Sequence, residues 1–175
     1  MKNDAAKFPR HPRMGVLSGE HAAEQIRRLQ EGGLIVGLCH GCFDILHFGH
    51  LRHLASAASM CDALIVSVTA DRFVNKGPHR PIFHETYRAE MLSGLACVDG
   101  VVVSQFPSAI EILDRLRPNR FFKGQEYHLP SHAANPNFER EREFAKAIDI
   151  EVLHTFEETY SSTETLSRLY EVLRD

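Results

Sequence analysis

Two patterns of apolar and polar positions alternate along the 175 residues. Short, mostly apolar runs at Leu34–Leu38, Ala63–Thr69, Val101–Val103, Arg120–Phe122 and Ile150–Leu153 have the length of strands covered on both faces. Between them lie segments whose apolar residues recur with helical spacing: Ser18–Gln30, Gly49–Met60, Glu85–Leu95, Ala109–Leu116, Phe138–Ile148 and Thr163–Leu173. Ser18 is placed to cap the first of these, with Ala22, Ile26 and Leu29 on one face and Gly32-Gly33 at its end. Strand–helix alternation of this kind predicts an α/β fold, a doubly wound five-stranded parallel sheet with helices on both faces. Residues 1–17 read as a flexible N-terminal tail, basic and proline-bearing, and 18–175 as one domain.

In such a sheet the ligand sits beyond the carboxyl ends of the strands. Four segments follow strands and so converge on that edge: the turn at 39–50, the loop at 70–81, Lys123-Gly124, and 155–162. The loop at 70–81 contains Lys76-Gly77-Pro78-His79-Arg80-Pro81, too rich in breakers to form an element. The stretch from Gln125 to Asn137, with two prolines, two asparagines and two histidines, reads as a long surface loop.

The turn after the first strand carries the most chemistry. Cys39-His40-Gly41-Cys42-Phe43-Asp44-Ile45-Leu46-His47-Phe48-Gly49-His50 joins a strand to a helix start. A helix N-terminus offers unpaired N–H groups and partial positive charge, and glycine lets backbone approach a phosphate. His47 and His50, three residues apart, both face one side of the first turn. There they can donate hydrogen bonds to charge that grows during phosphoryl-type transfer. Read alone, one histidine could cap the helix and the other lie on the surface.

Composition narrows the alternatives. A formal net charge of -3 argues against bulk nucleic-acid binding and against a polybasic membrane anchor. No apolar run approaches the roughly 20 residues that span a bilayer, and the N-terminus lacks the apolar core of a secretory signal. Cys39, Cys42, Cys61 and Cys97 fall in or beside apolar elements, which fits a reducing cytoplasm better than a disulfide scaffold. Cys39-x-x-Cys42 leaves open a metal or redox module built with His40, His47, His50 and His53, although no second cysteine pair completes a zinc ribbon.

The run Gly41-Cys42-Phe43-Asp44-Ile45-Leu46-His47-Phe48-Gly49-His50 resembles the signature of the cytidylyltransferase-like nucleotidyltransferases, in wording closest to the ADP-heptose synthase branch. The resemblance continues through Lys76-Gly77, Arg80-Pro81, Arg88 and Val98-Asp99, and returns at Phe122-Lys123-Gly124, Tyr127 and Ser162-Thr163. It implies a three-layer Rossmann-like fold and a cytoplasmic homodimer. The implied reaction has a sugar or alcohol phosphate attack the α-phosphorus of an NTP and release pyrophosphate, with Mg²⁺ carried on the nucleotide phosphates.

By that resemblance His47, His50, Lys76 and Arg88 would be catalytic. Gly41, Cys42, Phe43, Asp44, Gly49, Lys123, Gly124, Ser162 and Thr163 would bind nucleotide, and Asp71 and Arg80 the acceptor. It implies no protein-held metal. Competing local roles stand beside these. Lys76 and Arg80 could be solvated charges, and Arg88 could pair with Glu85. Asp44 and Asp71 could be turn formers, and Ser161 with Glu164 could be a capping box. The chain departs from the adenylyltransferase branch at Cys39-His40, where Thr-Asn is usual. It also has a longer 125–137 loop. The leading expectation is an ATP-dependent transferase acting on heptose 1-phosphate or a similar sugar phosphate for surface-polysaccharide assembly. The alternative in the same class is a CTP-dependent enzyme acting on glycerol 3-phosphate or another alcohol phosphate.

Overall fold

A computed structural model describes residues 12–125, 136–156 and Val172. Their elements, in chain order, are β1 (Gly15–Leu17), α1 (Gly19–Glu31), β2 (Val36–Gly41), α2 (Phe48–Ser59), β3 (Ala63–Thr69), a single 3₁₀ turn (Asp71–Phe73), α3 (Glu85–Ser93), β4 (Gly100–Ser104), α4 (Ala109–Leu116), β5 (Arg120–Gly124), α5 (Pro136–Ala147) and β6 (Glu151–Thr155). The helix expected over Thr163–Leu173 lies outside the described residues.

All six strands pair in parallel, in the order β1-β4-β3-β2-β5-β6. The chain builds outward from β2 to β3 and β4, then crosses back to β5 and β6, so the topological switch lies between β2 and β5. The expected five strands become six because Gly15–Leu17 adds an edge strand beside β4. Those three residues, with Val16 about half exposed, fall in the stretch read as a tail. A strand so short, paired on one side, leaves too little pattern to detect.

The sheet carries a core on each face. One face packs α2 and α3 through Leu54, Ala57, Ala89 and Leu92 against Cys39, Leu64, Val66, Val68 and Phe122. The other packs α1, α4 and α5 through Ile26, Ile112, Leu113 and Ala145 against Leu38, Ile65, Val102 and Phe121. Burial on both faces is why the central strands read as near-continuous apolar runs. Gly37 is required inside β2. A Cβ there would lie 2.5 Å from the Phe122 ring and 2.9 Å from Cys61 Sγ. Helix starts are set by side chains: Ser18 Oγ accepts from the His21 N–H, and Ser108 Oγ from the Ile110 N–H. Among the described residues no helix is long and apolar enough to cross a membrane.

Candidate active site

β2 runs on past the apolar stretch to Gly41, so Cys39 and His40 belong to the strand and the turn proper begins at Cys42. Phe43 takes a left-handed conformation, φ 49°, which reverses the chain and turns its ring into the core at 6 % exposure. A side chain at position 41 would meet that ring at 3.1 Å, so glycine permits the close approach.

Asp44 follows, 1 % exposed. Its Oδ1 accepts from the backbone N–H groups of Ile82 (2.7 Å) and Phe83 (3.1 Å), and its Oδ2 from Arg80 Nε (2.5 Å). Burial works against its charge. The Phe83 N–H, the Arg80 guanidinium and the Ile82 N–H outweigh burial and hold the carboxyl below the usual range. Asp44 thus fastens the end of the 70–84 loop to the turn.

His47 is the cap of α2: its Nδ1 accepts from the His50 N–H at 3.4 Å. A ring nitrogen that accepts carries no proton, so a neutral His47 carries its proton on Nε2. The two imidazoles stack, centroids 3.8 Å apart and planes 26° apart, and Phe43 meets His50 edge-on at 5.4 Å. Burial, then His47, Lys76 and His53, push His50 down to about 3. Burial and Lys76 lower His47 as well. Both are therefore neutral donors near pH 7 rather than cations. His50 Nδ1 is buried with no hydrogen-bond partner among the described residues.

The cations expected at the site divide sharply. Lys76 is exposed and near enough to Cys42, His47 and His50 to act on all three. Arg88, expected to neutralise phosphate, is fully buried. Its guanidinium donates to Phe83 O (2.9 Å), Thr69 O (2.8 Å), Asp71 Oδ1 (2.6 Å) and Cys42 O. A guanidinium carries five N–H donors in a rigid planar fork and so can satisfy several carbonyls at once, and here it ties the turn, the end of β3 and the loop together. Nor does it pair with Glu85, whose carboxylate accepts from the Asp71 N–H at 2.6 Å. Asp71 is bonded to Arg88 and lies 3.3 Å from His84 Nε2.

Arg80 is bound to Asp44, and its Nη2 is buried without a partner among the described residues. Lys123, 7 % exposed, pairs with Glu141 Oε2 at 2.7 Å and lies over the Phe121 and Phe138 rings. Glu141 Oε1 also accepts from the Ala109 N–H at 3.2 Å, joining β5, α5 and the start of α4. Arg88, Arg80, Asp71 and Lys123 thus each hold a partner within the protein, with one nitrogen of Arg80, Nη2, left over among the described residues. Gly49 lies buried in the first turn of α2 and Gly124 closes β5. Ser162 and Thr163 lie outside the described residues.

Two pairs at the same edge escaped the sequence reading. His40 Nδ1 lies 3.1 Å from Ser67 Oγ, and His53 Nδ1 lies 2.7 Å from Thr155 Oγ1. Both histidines are depressed by burial and then by Lys123, His40 to about 3 and His53 to about 4. His40 was visible as a departure from the family pattern; nothing in sequence connects positions so far apart as 53 and 155.

All four cysteines are free. Cys39 belongs to the α2–α3 core, where burial raises its thiol well above the ordinary value. No group of three or more potential ligands is arranged to hold a metal among the described residues. Neither observation supports a redox or metal module at Cys39-x-x-Cys42.

A sequence model described as cytidylyltransferase-like matches residues 38–168. The chain is 39 % identical over 117 residues to the bifunctional protein HldE of Hyphomonas neptunium, covering 66 % of this chain and 24 % of that protein. It is 43 % identical over 110 residues to the HldE of Paramagnetospirillum magneticum, covering 62 % and 22 %. The chain thus spans about a quarter of the length of these relatives. Among solved structures, the lipopolysaccharide core biosynthesis protein of Thermoplasma volcanium superposes with a TM-score of 0.60 at 23 % identity, over 73 % of this chain and 100 % of that one. The pantoate-beta-alanine ligase of Francisella tularensis, solved with beta-gamma ATP and beta-alanine, gives 0.60 at 15 % identity over 93 % of this chain and 80 % of that one. Both show a shared fold.

Proposed function

The chain belongs to the cytidylyltransferase-like family and is a nucleotidyltransferase; from that premise we propose that it transfers a nucleoside monophosphate, with ATP the favoured donor, to a sugar phosphate such as heptose 1-phosphate. The products are pyrophosphate and an NDP-sugar for surface-polysaccharide synthesis. The observation that carries the reading is the stacked pair of neutral imidazoles at the N-terminus of α2, one capping the helix and both within the field of Lys76.

In this reading an acceptor phosphate oxygen attacks the α-phosphorus in line. The new P–O bond forms as the bond to the bridging α–β oxygen breaks, and that oxygen leaves with pyrophosphate. His47 and His50 donate to the oxygens on which charge accumulates, Lys76 neutralises the leaving phosphates, and the α2 N–H groups complete the cradle. Positioning and electrostatics suffice for such chemistry, so no protein nucleophile is needed. Mg²⁺ fits as an ion carried by the phosphates, whose charge it would neutralise, because Asp44, Asp71 and Glu85 are already engaged with backbone N–H groups and arginines.

The deciding experiment is a pyrophosphate-release panel of four NTPs against heptose 1-phosphate, other sugar 1-phosphates and glycerol 3-phosphate. Turnover with ATP and a sugar 1-phosphate is expected. CTP with glycerol 3-phosphate would select the alcohol-phosphate reading, and silence across the panel would reject both.

A further inference from the structure

Side chains of paired residues in neighbouring parallel strands share a face. On the α1–α4–α5 side the apolar layer Leu38, Ile65 and Phe121 is followed two residues on by His40, Ser67 and Lys123. The next layer is Thr69 beside Ser104. The second core therefore turns polar at one level in β2, β3, β5 and β6, at His40, Ser67, Lys123 and His154, while β4 keeps Val102 there and turns polar one layer on, at Ser104. Ser67 and Ser104 are fully buried. Ser104 Oγ has no hydrogen-bond partner among the described residues.

His40 stands at the centre of this layer, half-buried, with Ser67 bonded to its Nδ1 and with Lys123 and Glu111 near enough to act on its charge. Glu111 itself accepts from Ser108 Oγ at 2.5 Å. The hydroxyl proton of fully buried Ser67 needs an acceptor, and His40 Nδ1 is its partner at 3.1 Å. Donation by Ser67 fixes the tautomer with the proton on Nε2. His40 thus offers one oriented, uncharged N–H from the carboxyl end of β2, on the sheet face opposite α2.

We propose that His40 is a specificity-determining residue for the acceptor, donating from Nε2 to an uncharged hydroxyl oxygen of the phosphorylated sugar or alcohol. The proposal rests on the nucleotidyltransferase reading above. In-line displacement puts the attacking group and the leaving pyrophosphate on opposite sides of the α-phosphorus. With the α2 N-terminus as the proposed leaving side, the acceptor would enter over the other face, where a hydroxyl-bearing chain meets His40 and Ser67, with Thr69 and Ser104 in the next layer and Lys123 and His154 further along the first. A neutral donor discriminates hydroxyl positions well, because an analogue lacking the hydroxyl leaves the buried group unpaired.

Two variants and one direct observation test this. His40→Phe keeps a planar ring without the donor, and Ser67→Ala frees the tautomer. Each is expected to raise the acceptor KM, His40→Phe by about tenfold, the worth of one neutral hydrogen bond, with the NTP KM unchanged. An unchanged acceptor KM, or a rise confined to the NTP, overturns the proposal. Long-range ¹⁵N correlation spectra of the wild-type chain need no variant. The His40 ring is expected as the Nε2–H tautomer, with Nε2 shifting on addition of heptose 1-phosphate or glycerol 3-phosphate but not of ATP alone. An Nδ1–H tautomer, or a resonance unmoved by both phosphates at saturation, overturns it. If that resonance shifts while the pyrophosphate panel stays silent, the acceptor site stands and nucleotidyl transfer falls. If the panel is active while the resonance stays still, only the present inference falls.

Discussion

Arg88 in α3 donates a hydrogen bond to the carbonyl of Cys42, 46 residues earlier, at the point where β2 gives way to the phosphate turn. With Thr69 O, Phe83 O and Asp71 also held, it binds three carboxyl-edge segments into one body. Arg88→Ala would leave buried carbonyls and Asp71 uncompensated and is expected to lower the unfolding free energy by about 3 kcal/mol, the scale of breaking a buried charged network. Denaturant melts with parallel turnover assays measure this. Lost turnover at unchanged stability would put the guanidinium on substrate instead.

Asp44 does the equivalent work from the turn side. An asparagine there keeps one acceptor oxygen but faces either the Ile82 and Phe83 N–H groups or Arg80 with an NH₂ group. Asp44→Asn is expected to cost about 2 kcal/mol. It should also speed amide exchange of Ile82 and Phe83 at least tenfold, the scale of about 1.4 kcal/mol of lost local protection, while α1 amides change only with global stability. Equal protection in both proteins would mean that the loop is held by Arg88 alone.

Lys76 lies between these anchors, on residues 75–79, which are exposed. Lys76→Ala is therefore expected to leave stability within about 0.5 kcal/mol while lowering kcat by on the order of a hundredfold, as when a transition-state donor is removed. Measured beside Arg88→Ala, it separates a charge that meets substrate from one that shapes the site. Unaltered kcat and KM would remove Lys76 from the reaction.

This division was only half legible in sequence. The strand–turn–helix context of His47 and His50 could be read from periodicity and glycine placement, because both are local. Which arginine or lysine would remain available could not, since Lys76, Arg80, Arg88 and Lys123 look alike as letters in polar neighbourhoods. Their fates depend on partners 36, 46 and 18 residues away for Arg80, Arg88 and Lys123. Helical spacing alone misleads in α3 for a related reason. Met91, an apolar residue, is 37 % exposed while Arg88 is fully buried, because the carbonyls of the turn create a polar interior that hydropathy does not register. The sixth strand was missed because Gly15–Leu17 is too short to show a period.

Acid should destabilise the fold through its histidines. His40 and His50 sit at about 3 and His53 at about 4, against an ordinary value of 6.5. Between those values the unfolded chain binds protons that the folded chain refuses, so stability rises with pH there and is fully present above 6.5. It is lost as pH falls from 6.5 toward 4, by up to about 1.4 kcal/mol per pH unit for each histidine. Urea melts from pH 8 to 4.5 should be flat above 7 and steepen below 6.5. Replacing His40 and His53 together by asparagine should flatten the acid limb. A profile identical in the double variant would contradict the assignment.

The Lys123–Glu141 pair separates structure from nucleotide binding at β5. Both side chains are at most a tenth exposed, and Glu141 also holds the Ala109 N–H. Removing one partner strands the other charge, so Glu141→Leu is expected to cost about 3 kcal/mol, whereas Lys123→Met combined with Glu141→Leu should recover much of that loss. Recovery is incomplete because the Ala109 N–H stays unpaired. If Lys123 serves only as this brace, the refolded double variant keeps an NTP KM within about threefold of wild type, less than the roughly 1 kcal/mol worth of one hydrogen bond. A tenfold rise in NTP KM, with stability restored, would return Lys123 to the nucleotide and show that the ion pair opens on binding. Thermal melts and initial-rate kinetics on the same preparations distinguish the two outcomes, because stability and NTP affinity then move independently.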